Sequence, residues 1–431
     1  MVWCRTRRRW FDGWRSVGEE WLVLAVLVLS ATTAYADVLT VHECVRLALT
    51  RSPAAQAGAF DVEAASARVR AAHAAYAPQF RLEAEYGRSQ GFDEVVTNGG
   101  STAALLTVEA KLLDGGLRDA QLAAAGARLR SAAALDQQRR ADVALAVRTA
   151  YLVGVSARAA AAIHDDSLRR LRTYAALLQR QVDLGLAPYN DVLRAQLAAE
   201  TVQAARRADL AQLDAACAEL ALRTGTPVAA PSLVEPEAAP YVEVSDAMID
   251  ASPVVADARA AAEAARRDAD SVRSELRTQV TLTASGGALG VEPGPTLRDN
   301  GGGQFLVGLR LPVFDNGATA ARIAAAVAAA HRADAELQEV RQAITVALAQ
   351  TTVEANRAQA DVAASRRAIP KAEENFELMR ARYFGGGNVR LLEVLDALAQ
   401  YVDARLDEAH ALGIYRQAAA SARHLLGDAT P

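Results

Sequence analysis

Four segments of the chain alternate apolar and polar residues with a period of two. Residues 79–87 set Phe80, Leu82, Ala84 and Tyr86 against Arg81, Glu83 and Glu85. Residues 106–112 set Leu106, Val108, Ala110 and Leu112 against Thr107, Glu109 and Lys111. Further on, Val280, Leu282 and Ala284 oppose Gln279, Thr281, Thr283 and Ser285. Last, Phe305, Val307, Leu309 and Leu311 alternate with Gln304, Leu306, Gly308 and Arg310. This period predicts four β-strands, each with one apolar and one polar face. Such segments match the roughly nine to eleven residues of a strand that crosses a bilayer at a tilt. Apolar-out with polar-in is the pattern of a transmembrane barrel. Hairpins packed on helices in a soluble protein would alternate in the same way. Four strands cannot enclose a usable lumen, since barrels need about eight or more. A membrane reading therefore requires several chains to pool strands.

Elsewhere the apolar spacing is helical. Residues 117–184 contain no proline and would reach roughly 100 Å as one helix. The matching stretch from Ala318 is interrupted by Pro370, where a kink or local break is expected. Leu168, Leu171, Ala175, Leu178 and Val182 step by three and four, as do Leu391, Leu395, Leu398 and Val402. That is coiled-coil spacing. Shorter helices are expected over roughly 41–76 and 245–276. The stretches 88–103 and 286–303, rich in Gly, Asn and Pro, read as loops, with Gly301–Gly303 at a loop tip.

The plan occurs twice, about 200 residues apart. Ser52-Pro53 returns as Ser252-Pro253, and Leu113-Asp114-Gly115-Gly116 is answered by Phe314-Asp315-Asn316-Gly317. GLAPYNDVLRA (185–195) is answered by GNVRLLEVLDA (387–397). The mature chain thus divides into a first repeat at 37–225, a Pro-rich linker at 226–244 and a second repeat at 245–431. Residues 1–36 read as a signal peptide. They hold an arginine-rich start, a short apolar core at Trp21–Ser30 and Ala34-Tyr35-Ala36 before Asp37. No later stretch is expected to reach membrane-spanning length as a helix.

Composition narrows the function further. Hydrophobic residues make up 52% of the chain but aromatics only 5%, because alanine supplies much of the apolar count. Alanine favours helix and lets helices approach closely. The net charge of −4 offers no basic patch for nucleic acid. Cys4, Cys44 and Cys217 have no metal-ligand spacing. The six histidines lie singly along the helices. Asp165-Asp166 beside His164 reads as a solvated helix patch. No catalytic set and no cofactor motif is present, so the reading is non-enzymatic.

Taken together, these residues resemble the TolC-like outer-membrane efflux proteins over nearly the whole mature length. The carriers are the opening LTVHECVRLAL (39–49) with Ser52-Pro53, Pro78-Gln79, the two strand-to-helix turns and the two Gly-x5-(Asp/Glu)-Val-Leu-x-Ala turns. The resemblance implies a mainly α fold with a small transmembrane β part. Each chain would supply four strands and long antiparallel coiled-coil helices. A homotrimer would complete a 12-stranded barrel in outer-membrane lipid and a helical α-barrel in the periplasm. The function implied is the passive exit duct of a tripartite efflux pump or type I secretion system. Its partners would be a periplasmic adaptor (membrane fusion) protein and an inner-membrane transporter. The alternative left by the residues alone is a soluble periplasmic coiled-coil scaffold without a pore.

The candidate working parts follow. Gly185 and Gly387 end long helices, where glycine suits a left-handed cap. Glu393 and Asp396, three apart, share a helix face. The resemblance implies that these two acids and Asp191 form a periplasmic gate. It also implies that the tips, through Gly185, Asn190, Val192, Leu193, Gly387, Leu392, Val394 and Leu395, dock the adaptor. Asp114, Gly115, Gly116, Asp315, Asn316 and Gly317 form the strand-to-helix turns. Two departures from the family pattern stand out. No proline precedes Leu113-Asp114. The tyrosine usual three residues before the second tip glycine is Phe384 if that glycine is Gly387, with Tyr383 adjacent, which puts a closing hydrogen bond in doubt.

Overall fold

A computed structural model describes residues 39–88, 100–236, 241, 244–290 and 300–430. The expected signal peptide, the tips of the two strand loops and part of the linker lie outside these residues. The helices are α1 (Val41–Arg51), α2 (Pro53–Ala74), α3 (Leu117–Asp183), α4 (Tyr189–Thr224), α5 (Asp246–Ala251), α6 (Pro253–Ser274), α7 (Ala318–Phe384) and α8 (Leu391–Leu425). The strands are β1 (Gln79–Arg88), β2 (Gly100–Leu113), β3 (Gln279–Gly290) and β4 (Gly301–Arg310).

The first helix starts at a capping box. Thr40 and Glu43 exchange side-chain bonds with each other's backbone N–H, which satisfies two orphan donors. The helix expected over 41–76 is split at Ser52-Pro53, and that over 245–276 at Ser252-Pro253. Each proline disfavours helical geometry in the residue before it and is itself well placed to open a new helix. Pro370 does the opposite of what was expected, since α7 runs unbroken through it for 67 residues. Pro370 is exposed, so water can serve the carbonyl it leaves unbonded, and one bond is a small share of so long a helix.

The four strands form one antiparallel sheet in the order β1-β2-β3-β4. Residues directly opposite one another share a face, so the register tests the expected alternation. Leu82 pairs with Leu106, Phe80 with Val108, Val108 with Ala284 and Ala284 with Phe305. The apolar faces therefore merge into one continuous surface. Phe80, Leu82, Phe305 and Leu309 on it are each 70% exposed or more. The opposite face joins Gln79, Glu109 and Thr283, and next to them Arg81, Thr107, Ser285 and Gln304. Strands β1 and β4 leave one edge each unpaired by this chain. The strands outrun their expected bounds on the loop side, whereas Leu311, expected in the fourth strand, falls just past the end of β4. Gly301–Gly303 are not a loop tip but pair with Ala288, Gly287 and Gly286. Gly287 is needed there, because a Cβ would come 1.9 Å from the Ala104 carbonyl oxygen of β2.

Below the sheet, α3 packs against α2, α4, α6 and α8, whereas α7 packs mainly against α6 and α8. Of 67 residues each, α3 buries 22 and α7 only 8. The first is an interior stave and the second a border. One 18-residue stretch of α3 reaches a mean hydropathy of 1.3, enough to cross a membrane by length and composition, contrary to expectation. Half of it is buried in the protein, where alanines pack on neighbouring helices. At mid-height a core of Cys44, Val147, Tyr151, Leu220 and Leu233 ties α1, α3 and α4 to the chain after α4. The Tyr151 hydroxyl accepts from the Val234 N–H at 2.8 Å, and Leu39 bridges Leu233 in parallel.

Candidate functional site

The end farthest from the sheet holds two helical turns side by side. In the first, Gly185 takes a left-handed φ of 73°, and the Leu186 N–H closes onto the Gln181 carbonyl at 2.8 Å. In the second, the left-handed residue is Gly386, φ 79°, and the Gly387 N–H closes onto the Arg382 carbonyl at 2.8 Å. This corrects Gly387 as the capping glycine. A Cβ at Gly387 would meet the Arg382 carbonyl oxygen at 2.8 Å, so glycine is required there for space instead. The two turns share the same helix-ending pattern, but the second is one residue longer before its next helix begins.

That shift places Tyr383 three residues before the capping glycine. Its hydroxyl donates to Asp191 Oδ2 at 2.9 Å, from the second hairpin to the first. The hydrogen bond put in doubt by the sequence is therefore present. Burial, followed by the bond to Asp191 and its charge, pushes the Tyr383 hydroxyl above the usual tyrosine value, so it stays a donor. Asp191 and Glu393 both occupy the third position of their helices, α4 and α8, where negative charge is favoured by the helix N-terminus. Glu393 is not bare, because Arg390 Nε lies 3.0 Å from its Oε1. Asp396, one turn on, is exposed.

The expected docking residues divide by burial. Val192 and Val394 are fully buried, and Val192 packs with Leu178, Ala195 and Leu391 in a core under the tips. Both face inward and are not available at the surface, so the expected docking role does not fit them. Leu395 is half-buried, while Asn190, Leu193 and Leu392 are exposed. The first tip also exposes Leu184, Leu186 and Tyr189. A groove of about 630 Å³ runs between the tips, lined among others by Pro188, Asn190, Asp191, Arg194, Tyr383 and Arg390.

A second cluster, higher in the coiled coil, was missed at the sequence level. Phe376 of α7 and Tyr401 of α8 stack at 6.3 Å with 5° between their planes. Arg170 of α3 lies 5.7 Å and 5.9 Å from the two ring centres. Asp166 takes Arg170 at 3.1 Å and Arg405 at 3.5 Å, while Arg170 also reaches Glu377 at 3.6 Å. Asp165 pairs with Arg206 at 2.9 Å, and His164 with Asp209 at 2.6 Å. The Asp165-Asp166 pair is thus no solvated patch but ties α4 and α8 to α3.

At the other end of the long helices, two aspartates shape the strand-to-helix turns identically. Asp114 accepts from the N–H of Gly116 and of Arg118, each at 3.1 Å. Asp315 accepts from Gly317 at 3.1 Å and Thr319 at 2.7 Å. Gly115, Gly116, Asn316 and Gly317 all have positive φ, the conformation that glycine and asparagine adopt most easily. Burial pushes the Asp114 carboxyl up, but Arg118 and the two N–H groups outweigh it and hold it below the usual carboxylate range.

Among the described residues, no group of three or more His, Cys, Asp or Glu could hold a metal ion. Cys44 and Cys217 are buried free thiols. Burial, with some help from Glu43, raises Cys44 to about 11, which leaves it inert.

The family model for outer membrane efflux proteins matches residues 44–226 and again 244–428. The protein CyaE of Bordetella pertussis is 30% identical over 392 residues, covering 86% of this chain and 80% of that one. The crystal structure of the outer membrane protein VceC of Vibrio cholerae superposes with a TM-score of 0.79 at 20% identity, covering 90% of this chain and 96% of that one. The open-state structure of the Neisseria gonorrhoeae MtrE outer membrane channel gives 0.77 at 18%, covering 90% and 88%.

Proposed function

Because the chain belongs to the outer membrane efflux protein family and is a channel-tunnel for efflux or secretion, we propose that three copies form one passive exit duct. Their four-stranded sheets join edge to edge as a 12-stranded barrel in the outer membrane. The α3–α4 and α7–α8 hairpins continue it as a periplasmic tunnel. The observation that carries this reading is the sheet itself. Its continuous apolar face is exposed, and β1 and β4 end in unpaired edges. Lipid would cover the face, and a neighbouring copy would satisfy each edge. A soluble scaffold would leave both bare.

The two halves, 37–225 and 245–431, act in this reading as duplicated units joined by 226–244. The Tyr383–Asp191 bond closes the tip, and Glu393 with Asp396 lines the constriction. An adaptor, in turn bound to an inner-membrane transporter, docks on the exposed residues of both turns, Gly185, Asn190, Leu193, Gly387 and Leu392. Purified protein in detergent is expected at about three times the subunit mass, and it should form pores in planar bilayers. Recovery of all the protein in the soluble periplasmic fraction would overturn the proposal.

A further inference from the structure

The polar face of the sheet has an order of charge along its strands. At the end that runs into the helices, Arg310 pairs with Gln279. The next row joins Lys111, Thr281 and Gly308. Glu109 follows one row farther out, and then β1 brings Arg81, Glu83 and Glu85 in turn. Arg81 and Glu83 pair at 3.5 Å and cancel. Among the described residues, the charges left over are therefore positive at the helical end, from Lys111 and Arg310, and negative farther out, from Glu109 and Glu85. Lys111 and Arg310 are both exposed, and neither has an ion-pair partner among the described residues.

The two cations lie two strands and one row apart, which puts their Cα atoms roughly 12 Å from each other. Gly308 leaves the sheet bare beside Arg310. A Cβ there would lie 3.8 Å from the Thr281 carbonyl oxygen, an ordinary contact, so this chain does not need glycine at 308 for space. Two simpler uses of the cations are closed. They lie on the face opposite Phe80, Leu82 and Phe305, so they cannot reach lipid phosphate across the sheet. A neighbouring copy joined to β4 does not neutralise them either. Its β1 begins at Gln79, and the first acid on the polar face is Glu83, four residues farther out and already paired with Arg81.

We propose that Lys111 and Arg310 of three copies form a basic ring at the base of the barrel, which holds multivalent anions carried by the cargo. This rests on the trimeric duct given above, in which the polar face lines the lumen. Two cations from each copy, on a wall of low dielectric, focus the field and raise the local concentration of anions. The ligand is named by its charge, as clustered carboxylates or phosphates, because lysine and arginine both accept either. Acids bound the ring on both sides. Glu109 and Glu85 lie farther out in the barrel, and Glu393 and Asp396 lie at the tips. An anion is thereby confined to one level of the duct, where the strands meet the long helices.

The test uses the full-length protein in detergent. Its mass is measured first, since a subunit that stays monomeric removes the duct reading and the ring with it. Trimers are then titrated with inorganic tripolyphosphate by calorimetry. They should bind it at about 0.1 M salt, where a charge is felt over about 10 Å, and release it at about 1 M, where that length falls to about 3 Å. Lys111→Gln/Arg310→Gln should weaken binding about tenfold or more, whereas Lys111→Arg/Arg310→Lys, which keeps every charge, should stay within about twofold of the parent. Hexaglutamate should displace the probe, because the ring reads charge and not phosphate. Equal affinity in the parent and the glutamine pair, no binding by parent trimers at low salt, or failure of hexaglutamate to compete would each overturn the proposal.

Discussion

Replacing Tyr383 with phenylalanine removes one hydroxyl and little else. The ring keeps its edge contact with Phe384 at 5.1 Å and its place beside the core under the tips. What is lost is a 2.9 Å bond to a carboxylate. A hydrogen bond to a charged group contributes about 1.5–3 kcal/mol. Both partners are half-buried, so water screens the bond and compensates Asp191 after the change, which argues for about 1–2 kcal/mol. In a trimer whose three tips release together, the closed state would lose about 3–6 kcal/mol, or roughly two to four decades in its equilibrium with the open state. Single-channel recording should show this as long openings where the parent stays closed. Closed times within tenfold of the parent, in trimers of normal yield, would refute the assignment of the bond to gating. The raised value of Tyr383 adds a pH corollary. A group raised in the closed state contributes fully below its ordinary value, near 10 for tyrosine, and is lost only as pH climbs through the raised one. The parent should therefore stay shut from neutrality to about pH 10.

Other outcomes can be checked independently. Leu82→Arg, on the apolar face, should cost about 2–4 kcal/mol if it meets the bilayer midplane and cut membrane-inserted trimer. Glu109→Arg, on the opposite face, should leave trimer yield unchanged, and equal loss in fractionation would refute the assignment of the two faces. Asp114→Ala should destabilise the junction by about 1–2 kcal/mol. Because its carboxyl is held low, that contribution is present above the ordinary carboxylate value and lost as pH falls through the lowered one. Melting curves of parent and variant should therefore converge in acid. Glu393→Gln/Asp396→Asn should weaken cation preference, as loss of a carboxylate ring does, whereas Arg390→Gln should strengthen it by freeing Glu393. Unchanged reversal potentials in both would place the constriction elsewhere.

The strand faces and the two long helices were legible in the sequence, because a period of two and an uninterrupted helical spacing are local signals. The breaks at Pro53 and Pro253 were equally local but were outweighed by apolar spacing on both sides. Pro370 misled because its cost depends on exposure, which the sequence does not carry. Gly301–Gly303 looked like a loop since glycine marks both turns and close backbone approach, and only the register with β3 separates the two. Gly385-Gly386-Gly387 offered three candidates for one left-handed position. Choosing the last displaced Tyr383 and hid its bond to Asp191. The Arg170 cluster joins residues more than two hundred positions apart, on helices whose surfaces are full of arginine, and no spacing singles it out.

The unpaired edges of β1 and β4 bear on how the protein can be made. Each edge strand has ten residues, and every outward N–H or C=O left without a partner in hydrocarbon costs several kcal/mol. If the proposed trimeric barrel holds, a lone subunit could not enter the bilayer first and look for neighbours there. Association and insertion would then coincide, so the rate of maturation should rise much more steeply than linearly with subunit concentration. At low synthesis the chain would wait outside the membrane, open to proteases. One defective subunit would also spoil two good ones, so a variant damaged at a single edge strand should be dominant over the parent when both are expressed together.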